Sequence, residues 1–277
     1  MSNFVKSPLN YVGGKYKVLD KIIPLFPDKI NTFVDMFGGG GNVSLNVNAD
    51  HIVYNDIEPH VVDLMKWFKS ENTEDVVGKI ESLINKYELS KTNRQGFLDI
   101  REYYNNEDNN AEVFYTMICY AFNYQIRFNN DGKYNMPFGK DRSSFNPSLK
   151  TKLIEFVNKM HEIDIAFINK SFEQIDLSDF NSDDLVYCDP PYFNSVASYN
   201  ENGGWTEQHE QSLHNILDNL NERGINFAFS NNFKYNNPLL REWSNKYKVH
   251  YLGSHYANCN YHKKDKTEDL EVLITNY

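Results

Sequence analysis

The sequence predicts an α/β protein built on a mostly parallel sheet and carrying an inserted helical subdomain. Three observations support this. Short apolar or β-branched runs recur along the chain, helical patterns alternate with them, and one long central stretch has helical patterns but no convincing buried strand.

Seven runs read as strands, each bounded by polar or turn residues: 32–36, 51–55, 163–168, 185–188, 225–229, 248–252 and 270–275. Between most of them, apolar residues fall at helical spacing over 43–47, 58–69, 207–221 and 238–246. Thr206 ahead of Glu207 and Glu210 is a helix-start pattern, and Glu58-Pro59 suggests another start. From about 61 to 157 the alternation stops, with helical patterns at 74–87, 93–104 and 112–124. The stretch from Arg127 to Pro147 is a polar loop dense in Asn, Gly, Lys and Pro, too long for an idle connection. The expected organisation is one domain from 1–60 and 158–277, with 61–157 as the helical insert.

The chain has 277 residues, 40% apolar and 24% charged, which suffices for a sizeable core and argues against disorder or a coiled coil. No stretch approaches the roughly 18 consecutive apolar residues of a membrane span, and Met1 to Asn10 lacks the apolar centre of a signal peptide. The expectation is a soluble, intracellular protein. Cys119, Cys188 and Cys259 form no CxxC pair, so a disulfide framework is not expected. The formal net charge of -10 argues against coating nucleic acid with a uniformly positive surface. Charge is segregated, however. Arg127 to Lys152 holds six cations (Arg127, Lys133, Lys140, Arg142, Lys150, Lys152) against Asp131 and Asp141, and residues 1–30 hold five lysines against two aspartates. That pattern fits a polyanion bound on one face, and equally an ordinary solvated surface.

Three constellations carry chemistry. Asp35-Met36-Phe37-Gly38-Gly39-Gly40-Gly41 lies where a strand ends and a helix is expected, and glycines there let the backbone turn sharply and approach a ligand. The dinucleotide fingerprint fails, because Val43 or Ser44 stands where its last glycine belongs. The phosphate-binding loop fails too, because Asn42 follows Gly41. What remains is a glycine loop with a carboxylate at the strand end, suited to a ligand bearing an amino group. Asn55-Asp56 ends the next strand, where a carboxylate can accept both hydroxyls of a ribose or cap the following helix. Asp189-Pro190-Pro191-Tyr192 follows an apolar strand. Two prolines would hold a carboxylate, a carbonyl and an aromatic face in one rigid cluster, suited to a planar ring bearing NH2, unless they only stiffen a turn.

Tyr11-Val-Gly-Gly-Lys15, Asp35 with Phe37-Gly-Gly-Gly, Asn55-Asp56, the stretch Asn129 to Gly139 and Asp189-Pro-Pro-Tyr192 together resemble the Dam-type DNA adenine-N6 methyltransferases (D12 class, alpha group), including phage members. The resemblance runs over nearly the whole chain and in the family's order. It implies a Rossmann-like, seven-stranded S-adenosylmethionine-dependent methyltransferase domain with 61–157 as a target-recognition insert. It further implies that Asp35 and the backbone of Phe37, Gly38, Gly39 and Gly40 hold the methionine part of S-adenosylmethionine, Asp56 its ribose and Phe172 its adenine, with Tyr11, Lys15 and Asp189 as further contacts. On bare sequence Phe172 reads as a core aromatic and Lys15 as a surface lysine. Asp189 and the Pro190 carbonyl would accept from the NH2 of a flipped-out adenine on which Tyr192 stacks, with Pro191 fixing the cluster. In the recognition stretch the resemblance implies Arg127 reading guanine and Pro137 packing on a thymine methyl, with Gln125 and Asn129 beside them. Lys133, Lys140 and Arg142 would contact phosphates.

GATC is the leading target on this resemblance. Three residues depart from GATC-specific members: Asn10 where a lysine can occur, Gln125 where an apolar residue is usual, and Asp141 where Arg or Tyr is found. Double-stranded DNA is the expected partner, with a restriction endonuclease acting on the same sites as a further one, in the cytoplasm of a bacterium or a phage host. The alternatives are methylation of RNA adenine or of a protein glutamine amide, families that usually carry Asn at the position of Asp189, and a DNA-binding relative without catalysis. His255, Cys259 and His262 have no fourth partner of matching spacing, so no metal is expected.

Overall fold

The computed structural model describes residues 4–11, 13–194, 204–253 and 270–277. Among them seven strands form one sheet: β1 (Thr32–Asp35), β2 (His51–Asn55), β3 (Ile165–Ile168), β4 (Leu185–Cys188), β5 (Asn226–Asn232), β6 (Lys248–Tyr251) and β7 (Glu271–Thr275), in the order β3-β2-β1-β4-β5-β7-β6. β1, β4 and β5 run parallel, with Asp35 opposite Tyr187 and Cys188 opposite Phe229. β7 is antiparallel to both β5 and β6. All seven strands expected from the sequence are present. β4 is buried along its whole length, as suits an unbroken apolar run inside a parallel sheet. β6 has no fully buried residue and begins at Lys248, as suits an edge.

Among the described residues eight α-helices accompany the strands: α1 (Leu19–Ile22), α2 (Pro59–Ser70), α3 (Thr73–Lys86), α4 (Arg94–Asn106), α5 (Ala111–Ile118), α6 (Pro147–Glu162), α7 (Glu207–Glu222) and α8 (Pro238–Ser244). Two expected helices are corrected. Residues 43–47 form turns, because both polar ends of the Asn46 side chain bond the extended N-terminal segment: Oδ1 accepts from Val5 N, and Nδ2 donates to Val5 O and Asn42 O. The helix expected over 112–124 stops at Ile118, since the chain then reverses through left-handed Asn123 and Tyr124 (φ 53° and 56°) and Ala121 bridges Phe138. α6 goes beyond the expected helices; Asn146 caps it by accepting from Leu149 N, and Pro147 opens its first turn.

The chain divides into two compact units. Unit 1 comprises Met1–Lys17, Gly38–Asn46 and Tyr54–Asn169; unit 2 comprises Val18–Phe37, Val47–Val53 and Lys170–Tyr277. In unit 1, α5 is the central helix, with Val113 to Ile118 all buried, and α2, α3 and α4 pack around it. In unit 2, α7 lays Leu213, Leu217 and Leu220 on a core formed by Val34, Val186, Phe227, Phe229 and Ile274, and α8 adds Leu240 and Trp243. At about 25 cal/mol per Å² of buried apolar surface, each of these side chains contributes on the order of 1.5–3 kcal/mol. Cys119 and Cys188 are buried thiols. Among the described residues no helix is long and apolar enough to cross a membrane.

Candidate active site

The glycine loop and Asp56 belong to unit 1. Gly38 donates its N–H to Asn55 O at 2.7 Å, and a Cβ on it would come within 2.2 Å of the ring of Tyr54, which is fully buried. Gly39 (φ 48°) is held from three sides. Its N–H donates to Asp56 Oδ2 at 2.8 Å, its carbonyl accepts from the Tyr54 hydroxyl at 2.6 Å, and the Tyr11 ring lies 3.1 Å from where a Cβ would stand. The glycines are therefore required by close packing and by the turn itself. Asp56, 7% exposed, also accepts from Glu58 N at 2.9 Å through Oδ1. Burial raises its pKa, opposed by the backbone N–H groups around it. Neighbouring Glu58 is raised to about 7, first by burial and then by the Asp56 charge. It caps α2 by accepting from His60 N. Lys15 is buried, not a surface lysine, and its Nζ donates to Gly13 O at 3.0 Å.

Unit 2 holds the other candidates. Asp35 is buried at the end of β1, and Met36 N continues the parallel pairing to Tyr187 O. Phe37 and Phe172 approach to 5.5 Å between ring centroids, and Trp205 lies 5.6 and 5.3 Å from them respectively, so the three rings form one cluster. The Trp205 indole donates at 2.5 Å to Glu210, which is fully buried and also accepts from Asn237 Nδ2 at 2.7 Å. Beyond β4, Pro190 is buried, Pro191 half-buried, and the Tyr192 hydroxyl donates to Asp189 Oδ1 at 3.3 Å. The Tyr192 ring meets Tyr235 at 5.9 Å, and Asn194 donates to Asn236 O. Asp189-Pro-Pro-Tyr192 is thus a folded cluster leaning on Tyr235, with Asn194 beyond it tied to Asn236.

The expected recognition stretch is a hairpin-like excursion within unit 1. Phe128 bridges Tyr134 and stacks on His60 at 4.4 Å, and buried Tyr134 donates its hydroxyl to Gln125 O. Arg127 gives one edge of its guanidinium to Asn135, Nε to Oδ1 at 2.8 Å and Nη2 to the carbonyl at 3.2 Å, which fixes the fork and leaves its outer edge in geometry for a bidentate contact. Asn129 holds the tip, its Oδ1 accepting from Asp131 N and Lys133 N. Lys133 donates to Asn106, and Pro137, Lys140 and Arg142 are exposed. Asp141 adopts a left-handed φ of 60°, which Asp tolerates far better than a bulky residue. Asn10 donates to Asn123 O at 2.7 Å.

Tyr54, Trp205, Glu210 and Tyr235 join these clusters without any motif to announce them, and Asn135 lies inside the 129–139 stretch without a role of its own in the sequence reading. Trp205 directly precedes the Thr206 helix-start pattern, the nearest thing to a signal. Among the described residues no group of three or more His, Cys, Asp or Glu gathers to hold a metal, and His255, Cys259 and His262 lie outside the described residues.

A glycine loop pinned to a strand-end carboxylate, an Asp-Pro-Pro-Tyr cluster and a braced arginine hairpin on an α/β sheet define an amino-methyltransferase type of architecture. The family model described as D12 class N6 adenine-specific DNA methyltransferase matches residues 11–258, and the chain belongs to that family. It is 48% identical over its whole length to the type II methyltransferase M.FokI of Planomicrobium okeanokoites, and 41% identical over 99% of its length to the modification methylase StsI of Streptococcus sanguinis. The chain spans 43% of the length of each of those two relatives. It is 27% identical to the DNA adenine methylase of Escherichia coli strain K12, over 87% of this chain and 85% of that protein.

Proposed function

We propose that the chain transfers a methyl group from S-adenosylmethionine to N6 of an adenine flipped out of a short duplex DNA sequence. The observation that carries this reading is the conjunction, in one member of the family, of the Asp56-pinned glycine loop with an Asp189-Pro-Pro-Tyr192 cluster closed by a Tyr192–Asp189 hydrogen bond. The residues fit the donor molecule. The loop is glycine where a side chain would strike Tyr54 or Tyr11, Asp56 can accept from ribose hydroxyls, and the Phe37–Phe172–Trp205 cluster supplies an aromatic surface for adenine. Asp35, Gly38, Gly39 and Gly40, with Tyr11 and Lys15, would hold the methionine part. When bound, S-adenosylmethionine supplies an electrophilic methyl on a good leaving group.

The chain's own residues then act on the base. Asp189 and the Pro190 carbonyl accept from the two N6 hydrogens, which favours tetrahedral nitrogen and frees a lone pair otherwise delocalised into the ring. Tyr192 stacks on the base and helps offset the few kcal/mol lost on unstacking it. The proton released from the methylated nitrogen is very acidic, so Asp189 need not be a strong base, and positioning accounts for much of the rate. Residues 61–157 act as the recognition insert on the catalytic portions 1–60 and 158–277. Arg127, aimed by Asn135, reads guanine, Pro137 meets a thymine methyl, Gln125 and Asn129 shape the hairpin, and Lys133, Lys140 and Arg142 meet phosphates. GATC is the first sequence to test. The names of two relatives support a restriction-modification role with a cognate endonuclease, in a bacterial or phage-infected cytoplasm.

The test is transfer of labelled methyl to random-sequence DNA, with single-molecule mapping of N6-methyladenine. Methylation at one short motif upholds the reading and names the target. Absence of transfer with intact cofactor binding would return RNA, protein amide or a non-catalytic DNA binder. Asp189→Ala is expected to abolish transfer while leaving the fold intact. Asp56→Ala is expected to weaken cofactor binding more than DNA binding.

A further inference from the structure

Unit 1 holds a cavity of about 410 Å³, and no residue given a catalytic or cofactor role above lines it, while Lys6 and Lys152 come from the two basic stretches of the sequence. Its size falls in the ligand-site range of roughly 300–1,000 Å³. Lys6 and Asn10 border it from the N-terminal segment, Tyr124 from the recognition hairpin, and Ser148 and Lys152 from the first two turns of α6. Its lining includes two lysines and no carboxylate, in a chain with ten more acidic than basic residues. The Lys6 ammonium rests over the Tyr16 ring at 5.2 Å, which holds the charge in place while leaving it its hydrogen-bond donors. Lys152 makes no ion pair among the described residues, whereas its neighbour Lys150 is tied to Glu81.

The cavity is also wired to the hairpin that carries Arg127. Asn10 donates to Asn123 O, and the Tyr124 hydroxyl accepts from Asn146 Nδ2 at 3.3 Å, the side chain that caps α6. Asn123 and Tyr124 both have left-handed φ, a conformation that a non-glycine residue keeps only where the surroundings enforce it. Cavity walls and hairpin entry are therefore one hydrogen-bonded assembly. An occupant of the cavity touches the residues that fix where Gln125 and Arg127 begin.

We propose that this cavity seats a phosphodiester group of the DNA backbone, with Lys6 and Lys152 neutralising it and the Ser148 hydroxyl donating to it, and that this contact sets the register of the Arg127 hairpin on the duplex. The proposal rests on duplex DNA being the substrate. A backbone phosphate rather than a free anion is chosen because the seat is shared with the hairpin that would read the bases of the same duplex.

The experiment measures binding of the whole chain to duplex DNA over a salt series, in the presence of S-adenosylhomocysteine, for wild type, Lys6→Ala, Lys152→Ala, the double variant and Lys152→Arg. The double variant is expected to reduce the slope of log K against log salt by roughly 0.9, the share of one phosphate, and each single alanine variant by part of it, equally on DNA with and without the methylated motif, with Lys152→Arg near wild type. The motif mapped for residual methylation and the cofactor affinity are expected to stay unchanged. An unaltered slope in the double variant overturns the seat, and so does a loss confined to one sequence, which would make these residues base readers. Titration with inorganic phosphate separates the sources: phosphate binding lost in the double variant with the DNA slope intact marks a free-anion site and overturns the proposal. A wild-type chain that binds no duplex DNA removes the DNA reading itself. A chain that binds DNA and loses slope as expected, yet transfers no methyl group, keeps the seat and removes the catalytic reading.

Discussion

At the scale of single residues, the candidate site divides into side chains whose type and place announce them and side chains that matter only through proximity. Gly38, Asp56 and Asp189 are of the first kind. Each is an unusual residue at a strand end, where a parallel sheet presents its ligands, so their candidacy can be read from the sequence. Tyr54 and Asn135 are of the second kind. Tyr54 is one more buried aromatic until the fold brings its ring against Gly38 and its hydroxyl to Gly39 O. Gly38→Ala would force a Cβ to 2.2 Å from a ring with no room to move, and overpacking of this type costs about 1–3 kcal/mol. A lowered denaturation midpoint together with weakened cofactor binding is expected, and a Gly38→Ala variant as stable as wild type would show that the loop can yield. Arg127→Ala is expected to relax preference at a single base pair by about 1–3 kcal/mol, measured by methylation rates on a set of single-base variants of the motif. Asn135→Ala, which releases the guanidinium without removing it, should produce the same relaxation in weaker form. A uniform loss across all sequences would instead mark Arg127 as a phosphate contact.

At the scale of elements, the strands were legible because buried apolar runs between polar residues have few other uses, and the departures occurred where side chains compete with the backbone. Residues 43–47 have helical spacing, yet Asn46 bonds the 5–7 segment and the turns never join into a helix. The chain's wealth of asparagine becomes intelligible only in the structure. Asn72, Asn93, Asn110, Asn146 and Asn237 each accept from a backbone N–H at the start of α3, α4, α5, α6 and α8. A cap of this kind is worth about 0.5–2 kcal/mol, so Asn is serving as punctuation in a chain with many short helices. Asn237 does more, because its Nδ2 also meets Glu210, which in turn receives the Trp205 indole. Glu210 thereby joins the start of α7 to the 235–237 segment on which Tyr192 and Asn194 lean. Glu210→Ala leaves the buried Asn237 amide and the half-buried Trp205 indole without that acceptor, at about 1–3 kcal/mol for a buried group left unsatisfied. A lower melting temperature, a raised KM for S-adenosylmethionine and altered Trp205 fluorescence are expected, with Glu210→Gln largely restoring all three. A Gln variant as damaged as the Ala variant would show that the charge, rather than the acceptor, is what the cluster requires.

At the scale of the whole molecule, net charge and local charge lead to opposite expectations, and only the distribution of groups resolves them. A chain of formal charge -10 is repelled by DNA at long range, so binding must come from places where acids are absent or neutral. The carboxylates around the candidate ribose site are where pH has the most leverage. Burial raises both Asp56 and Glu58, the latter to about 7, and the Asp56 charge adds to the rise at Glu58. A carboxyl whose pKa is raised on folding holds its proton in the native state while the unfolded chain has lost it. Its contribution is therefore fully present below the unfolded value near 4.5 and is lost as pH rises through about 7. Glu58→Gln keeps an oxygen to cap α2 but removes this titration. Melting curves of the two proteins should coincide near pH 4 and separate progressively up to pH 8, with the Gln variant the more stable. Cofactor affinity supplies the matching readout, since a ribose-binding Asp56 must be ionised to accept two hydroxyls. S-adenosylmethionine affinity should therefore rise with pH as Asp56 ionises. If the melting curves stay a constant distance apart at every pH, Glu58 is not titrating in that window. If stability responds and cofactor affinity does not, Asp56 belongs to the support of the glycine loop and the ribose is held elsewhere.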